Sequence, residues 1–361
     1  MPNPYKEIES IQQLMNEPTK RFVHCAFQDI DFSEIKDEIN REWSFVDCIF
    51  MGCKIVPSMS IGIDCVVFPK MDKPYNPYRS KLYSPSELYA FDESGQCFDN
   101  KVYAHYLKYG KQSQDIAETL ARSLHDHAIL DALYDFLAQY DERNVVAIMG
   151  GHAMLRTDEV YRKVVNIAKR LTEQGKLLVS GGGPGAMEAT HLGAWMAGRT
   201  EEEVENALSL LAVAPHYTDA KWLDVAFEVI KQYPQDVYKS VSIPTWLYGH
   251  EPSTPFATHI AKLFANALRE DELLTIAKGG IIYTPGSAGT MQEIFQDAVQ
   301  NHYLSFGYSS PMAFLGVEHW MRTIPVYELL MTLKQSKKYQ NLQLSISDEE
   351  NEIVKTIVEF Y

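Results

Sequence analysis

Two glycine-rich segments carry the residue types that could do chemistry. The first is Ser180-Gly181-Gly182-Gly183-Pro184-Gly185-Ala186-Met187-Glu188, and the second is Pro285-Gly286-Ser287-Ala288-Gly289-Thr290-Met291-Gln292-Glu293. Each follows a short apolar run and precedes a helical pattern, so each is expected to be a strand-to-helix turn. Glycines there let the backbone come close to a phosphate. The first amides of the following helix are unpaired and carry the positive end of its dipole, which stabilises an anion. Thr290 adds a hydroxyl donor. Glu293, one turn into its helix, is an acid that the dipole favours there.

Other readings of these turns fit less well. Gly181, Gly183 and Ala186 match G-x-G-x-x-A, but the acid that a dinucleotide site needs at the end of the next strand is missing, because Glu201-Glu202-Glu203 come before it. No G-x4-G-K-[ST] phosphate loop occurs, and neither turn holds a lysine for a Schiff base. No Ser-His-Asp or Cys-His set is evident, and no cofactor or metal is expected.

The elements that must hold these turns can be read around them. VVAIMGG begins at Val145 and ends on Gly150-Gly151, which adds two more candidate phosphate contacts. A helix pattern, EVYRKVVNIAKRLTEQG, follows, then strand, first turn and helix. LSLLAVAP (208–215) and SIPTWLYG (242–249) read as strands, residues 255 to 277 as a long helix, PMAFLGV (311–317) as a last strand and PVYELLMTLKQSKK as a last helix. Strands alternating with helices predict an α/β fold, a Rossmann-like parallel sheet covered by helices on both faces. In such a sheet both glycine turns lie at the C-terminal edge.

The paired motifs SGGGPGAMEA and PGSAGTMQE resemble the Lonely Guy family, the lysine decarboxylase-like nucleoside 5′-monophosphate phosphoribohydrolases with signature P-G-G-x-G-T-x-x-E. They also resemble the larger bacterial nucleotide 5′-monophosphate nucleosidases with added N-terminal segments. The resemblance covers roughly residues 141 to 345. It implies cleavage of the N-glycosidic bond, releasing base and ribose 5-phosphate, with Glu293 catalytic. It also implies a catalytic arginine ahead of the signature proline. Arg269 stands 16 residues before Pro285, one more than the family spacing; the alternative is a solvated Arg269 pairing with Asp271 or Glu272. Nucleotide contacts implied or suggested are Gly150, Gly151, Gly182, Gly183, Gly185, Met187, Glu188, Pro285, Gly286, Ser287, Ala288, Gly289 and Thr290. Ser287 replaces the family's second glycine, at a cost of about 1 kcal/mol if that position needs positive φ. A nucleotide sensor or carrier on the same fold is the alternative. The resemblance further implies a homodimer or homotetramer. His250 and Glu251, in YGHEPSTPF, also fall on the active edge and could touch base or phosphate.

The chain has 361 residues with 33 basic and 48 acidic side chains, a formal charge of −15. That surface repels polyphosphate and anionic lipid, so neither a nucleic-acid polymer nor a membrane is expected as partner. No apolar run is long enough to span a bilayer. The opening, MPNPYKEIESIQQ, does not read as a signal peptide, and a cytoplasmic location is expected. All five cysteines lie in the first 97 residues without zinc-site spacing, as expected of buried thiols. His125 and His127, two apart on an expected helix, point to different sides.

Three segments are expected: an accessory region 1–110, connecting helices 111–140 and a nucleotide-binding catalytic domain 141–361. In the first, Phe22, Phe27 and Phe32, then Phe45, Phe50 and Ile55, repeat every five residues. That period suggests a short pentapeptide-type β-solenoid; irregular hairpins are the alternative. Residues 68–90, dense in Pro and Tyr, read as an extended connection packed by its tyrosines.

Overall fold

The computed structural model describes residues 5–360. They fall into two compact units: the described chain up to Leu82 with Asp99–Asp135, and Tyr83–Phe98 with the chain from Phe136 on. No helix among the described residues is long and apolar enough to cross a membrane.

The first unit begins with β1 (Lys6–Ile8), α1 (Ile11–Asn16), β2 (Arg21–Val23), β3 (Cys25–Gln28), β4 (Ser44–Val46), β5 (Ile49–Met51) and β6 (Val66–Phe68). Every pairing among these strands is parallel, in the orders β1-β3-β5-β6 and β2-β4. Hairpins would have paired antiparallel, so the five-residue period is a solenoid. Its phenylalanines stack from coil to coil, Phe22 on Phe45 at 5.3 Å and Phe27 on Phe50 at 4.9 Å between ring centroids. Its corners repeat in phase: His24, Asp29, Asp47 and Gly52, each two residues after one of those phenylalanines, all have positive φ. The cysteines are free thiols, and burial pushes Cys48 and Cys53 up to about 11.

A short helix, α2 (Pro85–Leu88), interrupts the Pro/Tyr-rich connection, and α3 (Phe98–Tyr109) and α4 (Ile116–Leu137) follow it. Tyr75, Tyr78 and Tyr83 of the connection are buried. Within the first unit, buried Glu118 accepts from Lys73, His105 and Arg122 at 2.8 to 2.9 Å. His125 is fully buried beside Asp126.

The second unit is built on seven parallel strands in the order β10-β9-β8-β7-β11-β12-β13: β7 (Val145–Met149), β8 (Leu177–Ser180), β9 (Ser240–Ser242), β10 (His259–Ile260), β11 (Ile281–Tyr283), β12 (Pro311–Leu315) and β13 (Gln343–Ser347). The helices are α5 (Glu159–Glu173), α6 (Ala186–Trp195), α7 (Glu201–Leu211), α8 (Trp222–Gln232), α9 (Asn266–Thr275), α10 (Ala288–Tyr303), α11 (Val326–Gln335) and α12 (Glu350–Val358). One large apolar cluster joins Val146, Ile148 and Leu178 of the sheet to Val164, Ile167 and Leu171 of α5 and to Leu192 of α6. This is the expected Rossmann-like α/β sheet. The chain leaves β7 toward β8, β9 and β10, then returns to β11 on the other side of β7. The order therefore reverses beside β7, and a crevice opens there at the C-terminal ends of the strands.

Several expected elements differ. Residues 208–215 are not a strand, because α7 runs to Leu211. Thr200 and Glu203 form a capping box, and buried Val204, Ala207, Leu208 and Leu211 recur at helical spacing. Residues 242–249 hold only the end of β9 and a turn of 3-10 helix at Trp246–Tyr248, since Pro244 has no N–H for the ladder. The helix expected from 255 starts only at Asn266, because His259–Ile260 form the edge strand β10 on β9. The strand and helix nearest the C-terminus, β13 and α12, were not anticipated.

Candidate functional site

Three loops meet at the crevice, those after β7, β8 and β11. Backbone hydrogen bonds lace them together: Gly151 N–H donates to Pro285 O at 3.1 Å, and Ala186 N–H donates to Gly151 O at 3.2 Å. The glycines permit this closeness. A Cβ on Gly150 would fall 1.9 Å from Thr284 Oγ1, and one on Gly185, which has φ of +70°, would fall 2.4 Å from Gly151 O. A Cβ on Gly286 would lie 2.2 Å from Thr290 Oγ1. Gly185, Pro285 and Gly286 thus fix the loops.

Between the loops lies a cavity of about 290 Å³. Gly150, Gly151, Met187, Arg269, Ser287, Ala288, Gly289, Thr290 and Glu293 all line it, so the two catalytic candidates and most of the expected nucleotide contacts converge. Gly182 and Gly183 line an adjoining recess of about 40 Å³, which shares Met187, Tyr248, Glu251 and Arg269 with the cavity.

The two glycine turns are not equivalent. Gly289 is open, with no atom near where a Cβ would stand. The first intrahelical bond of α10 there is Met291 N–H to Ser287 O, and the amides of Ala288, Gly289 and Thr290 donate to no described residue. Ser287 has φ of −128°, outside the left-handed region, so the expected serine penalty does not arise. The β8 turn is covered instead. Gly183 N–H donates to Met187 Sδ at 3.4 Å, and a Cβ on Gly181 would meet Arg269 Nη2 at 2.2 Å and Met187 Sδ at 2.7 Å. An anion therefore has open amides at Ala288–Thr290, while the β8 turn is closed by the protein's own side chains.

Arg269 sits on α9 with its Nε donating to Ile243 O at 3.1 Å and its Nη1 to Glu270 Oε1 at 2.6 Å. Its ion-pair partner is Glu270; Asp271 instead accepts from Gln296 at 2.9 Å. Glu270 also lines the cavity, and its Oε2 is buried without a hydrogen-bond partner. Glu293 is only 7% exposed. Burial pushes its carboxyl up to about 7; the Arg269 charge pulls it down and the Glu270 charge pushes it up. Behind it on α10, fully buried Asp297 accepts from Tyr283 Oη at 2.7 Å and from Asn301 Nδ2 at 3.0 Å. A carboxyl poised near neutrality beside a guanidinium is the equipment of a general acid or base.

Glu188 is placed elsewhere. It is fully buried and accepts from Arg156 Nε at 2.9 Å, Arg156 Nη2 at 2.5 Å and Tyr161 Oη at 2.9 Å, with the guanidinium 4.5 Å over the Trp222 ring. It does not line the cavity, so the structure gives it the role of anchoring α6. Its partner Arg156 lies 32 residues away and gave no signal in the sequence. Glu270, His152 and Tyr248 were also missed as lining residues. Glu270 could have been noticed as the neighbour of Arg269, whereas His152 and Tyr248 depend on how their loops fold. His250 pairs loosely with Glu251 at 3.8 Å. Among the described residues no group of three or more His, Cys, Asp or Glu could hold a metal ion.

No known family profile and no curated protein sequence matches the chain. Solved structures similar to it include a molybdenum cofactor binding protein from Rippkaea orientalis, at 14% identity over 59% of this chain and 95% of that one, TM-score 0.37. The molybdenum cofactor carrier protein from Chlamydomonas reinhardtii is 11% identical over 60% and 96%, TM-score 0.36. A protein called TM1055 is 16% identical over 59% and 97%, TM-score 0.35.

Proposed function

We propose that the crevice beside β7 hydrolyses the N-glycosidic bond of nucleoside 5′-monophosphates, giving free base and ribose 5-phosphate. The observation that carries this reading is the convergence of Glu293 and Arg269 on one cavity with the open amides of Ala288–Thr290. The 5′-phosphate sits on those amides, with the Thr290 hydroxyl beside them. Arg269 binds phosphate or ribose, and the unpartnered Oε2 of Glu270 suits a ribose hydroxyl. As the bond between C1′ and the base nitrogen breaks, its electron pair leaves with the base and the sugar gains oxocarbenium character. Ionised Glu293 stabilises that charge and takes a proton from the water whose oxygen bonds to C1′; the departing base nitrogen takes up an equivalent proton from solvent, and Glu293 then releases its own. In this assignment residues 141–361 are the catalytic domain, 111–140 connecting helices and 1–110 an accessory region. The family is that of the Lonely Guy phosphoribohydrolases, on the strength of the two motifs and their order.

The test is incubation of the full chain with AMP, GMP, IMP, CMP and UMP, with free base scored by chromatography. Release of base that Glu293→Gln lowers by about 10²- to 10⁴-fold, with nucleotide binding retained, supports the reading. Tight nucleotide binding without any release would make the protein a nucleotide sensor or carrier instead.

A further inference from the structure

The two ends of the cavity offer opposite chemistry. At Ala288–Thr290 the protein presents open backbone donors. At the β8 turn it presents a carboxylate: Glu251 Oε2 stands 3.5 Å from where a Cβ on Gly183 would be, and the side chain is only 17% exposed. The imidazole nitrogens nearest it, His152 Nε2 at 4.0 Å and His250 Nε2 at 3.8 Å, are beyond hydrogen-bond reach. No hydrogen bond from a described residue reaches the Glu251 carboxylate. A phosphate there would meet that negative charge and the thioether of Met187 lying over the turn, while the cations lining the recess are engaged, Arg269 by Ile243 O and Glu270 and Lys262 by Ser253. In the same recess the Ser253 hydroxyl accepts from buried Lys262 Nζ at 3.0 Å and keeps its own proton to donate. Tyr248 and Met187 supply flat and apolar surface beside it.

We propose that Glu251 reads the base of the nucleotide and selects guanine. The inference rests on the crevice being a nucleotide site, with the phosphate on the Ala288–Thr290 amides and the base therefore toward the β8 turn. An ionised carboxylate only accepts hydrogen bonds. Guanine offers it two adjacent donors, N1–H and the 2-amino group, next to an O6 acceptor that the Ser253 hydroxyl can serve. Hypoxanthine lacks the 2-amino group. Adenine and cytosine place a ring-nitrogen lone pair beside their amino group, and uracil flanks its one N–H with two carbonyls. Each of these leaves a lone pair facing the carboxylate or one of its oxygens unpaired, which a site built on hydrogen bonds discriminates strongly.

The experiment compares kcat/KM for base release from GMP, IMP, AMP, CMP and UMP by the full chain, Glu251→Gln and Ser253→Ala. GMP is expected to exceed IMP by about tenfold or more, and Glu251→Gln to reduce that ratio to within a few-fold. Ser253→Ala is expected to weaken GMP and IMP together relative to AMP, because both carry O6. A wild-type preference for another base, or a GMP to IMP ratio unchanged in Glu251→Gln, overturns the proposal while leaving the hydrolase reading intact. If no nucleotide releases base, the hydrolase reading fails and calorimetric affinities decide this one. GMP binding tighter than IMP or AMP, with the margin lost in Glu251→Gln, then supports it. Equal affinities, or no binding, overturn it.

Discussion

Glu293 combines deep burial with a guanidinium and a second carboxylate at close quarters, and this sets two pH dependences of opposite sense. As a base it acts ionised, so kcat is expected to rise about tenfold per pH unit below its value of about 7 and to level off above it. A flat profile from pH 5 to 8 would remove Glu293 from the proton transfer. For stability the sign reverses. The native carboxyl holds its proton up to about 7, whereas the unfolded one releases it near 4.5, so stability falls as pH rises between those values. Glu293→Gln removes that loss and is expected to be more stable than wild type at pH 8 by about 2 to 3 kcal/mol, with little gain at pH 4. Denaturant melts of both proteins at the two pH values check this. A variant that loses turnover and gains stability in this way marks a carboxylate held at a functional cost.

At the scale of elements, the strand-to-helix turns divide into glycines that shape the site and a glycine that faces the open cavity. Gly185→Ala puts a Cβ at positive φ against Gly151 O and is expected to cost about 2 kcal/mol or more; Gly289→Ala meets open space and should leave the melting temperature within about a degree while weakening nucleotide binding. Glu188 belongs to the first group. Glu188→Gln strips the buried Arg156 of its counter-charge and is expected to cost about 3 to 5 kcal/mol, with kcat per folded molecule kept. If instead KM for nucleotide rises while stability holds, Glu188 touches ribose. This division explains what was legible in the sequence. The motifs pick out Glu293 and the open turn, which share one strand-turn-helix unit, and Arg269 on the helix just before it, and these line one cavity because such spacing is a local property. They mislocated Glu188, because its partner is 32 residues upstream, and they could not show that Met187 closes the β8 turn. The error at 208–215 has the same root. LSLLAVAP is apolar enough for a buried strand, and the Thr200–Glu203 box about two turns earlier makes its first half the end of a helix.

On the scale of the whole molecule, one apolar cluster among the described residues is stacked from the solenoid phenylalanines and another lies between the parallel sheet and its helices. The first unit adds a charged core of its own. Burial alone would raise Glu118, but hydrogen bonds from His105, Lys73 and Arg122 outweigh it and hold the carboxyl at about 2. A depressed carboxyl contributes stability that is fully present above its unfolded value near 4.5 and is lost as pH falls toward 2. The first unit is therefore expected to lose stability through that acid window. The second unit gains above that window, between pH 7 and about 4, since protonating Glu293 and Asp297, both raised to about 7 by burial, relieves it. Acidification should consequently raise the second unit's melting transition between pH 7 and about 4, and lower the first unit's below about pH 4.5. Glu118→Gln leaves Lys73 and Arg122 without their counter-charge and is expected to lower the first unit's transition at pH 7, an effect of about 3 to 5 kcal/mol that shrinks as pH approaches 2. Differential scanning calorimetry of wild type and Glu118→Gln across pH 3 to 7, with Trp43 as a fluorescent reporter inside the first unit's apolar cluster, measures both effects. If one transition moves as a single unit under acid and under Glu118→Gln alike, the expectation of separate transitions fails and the two clusters unfold cooperatively.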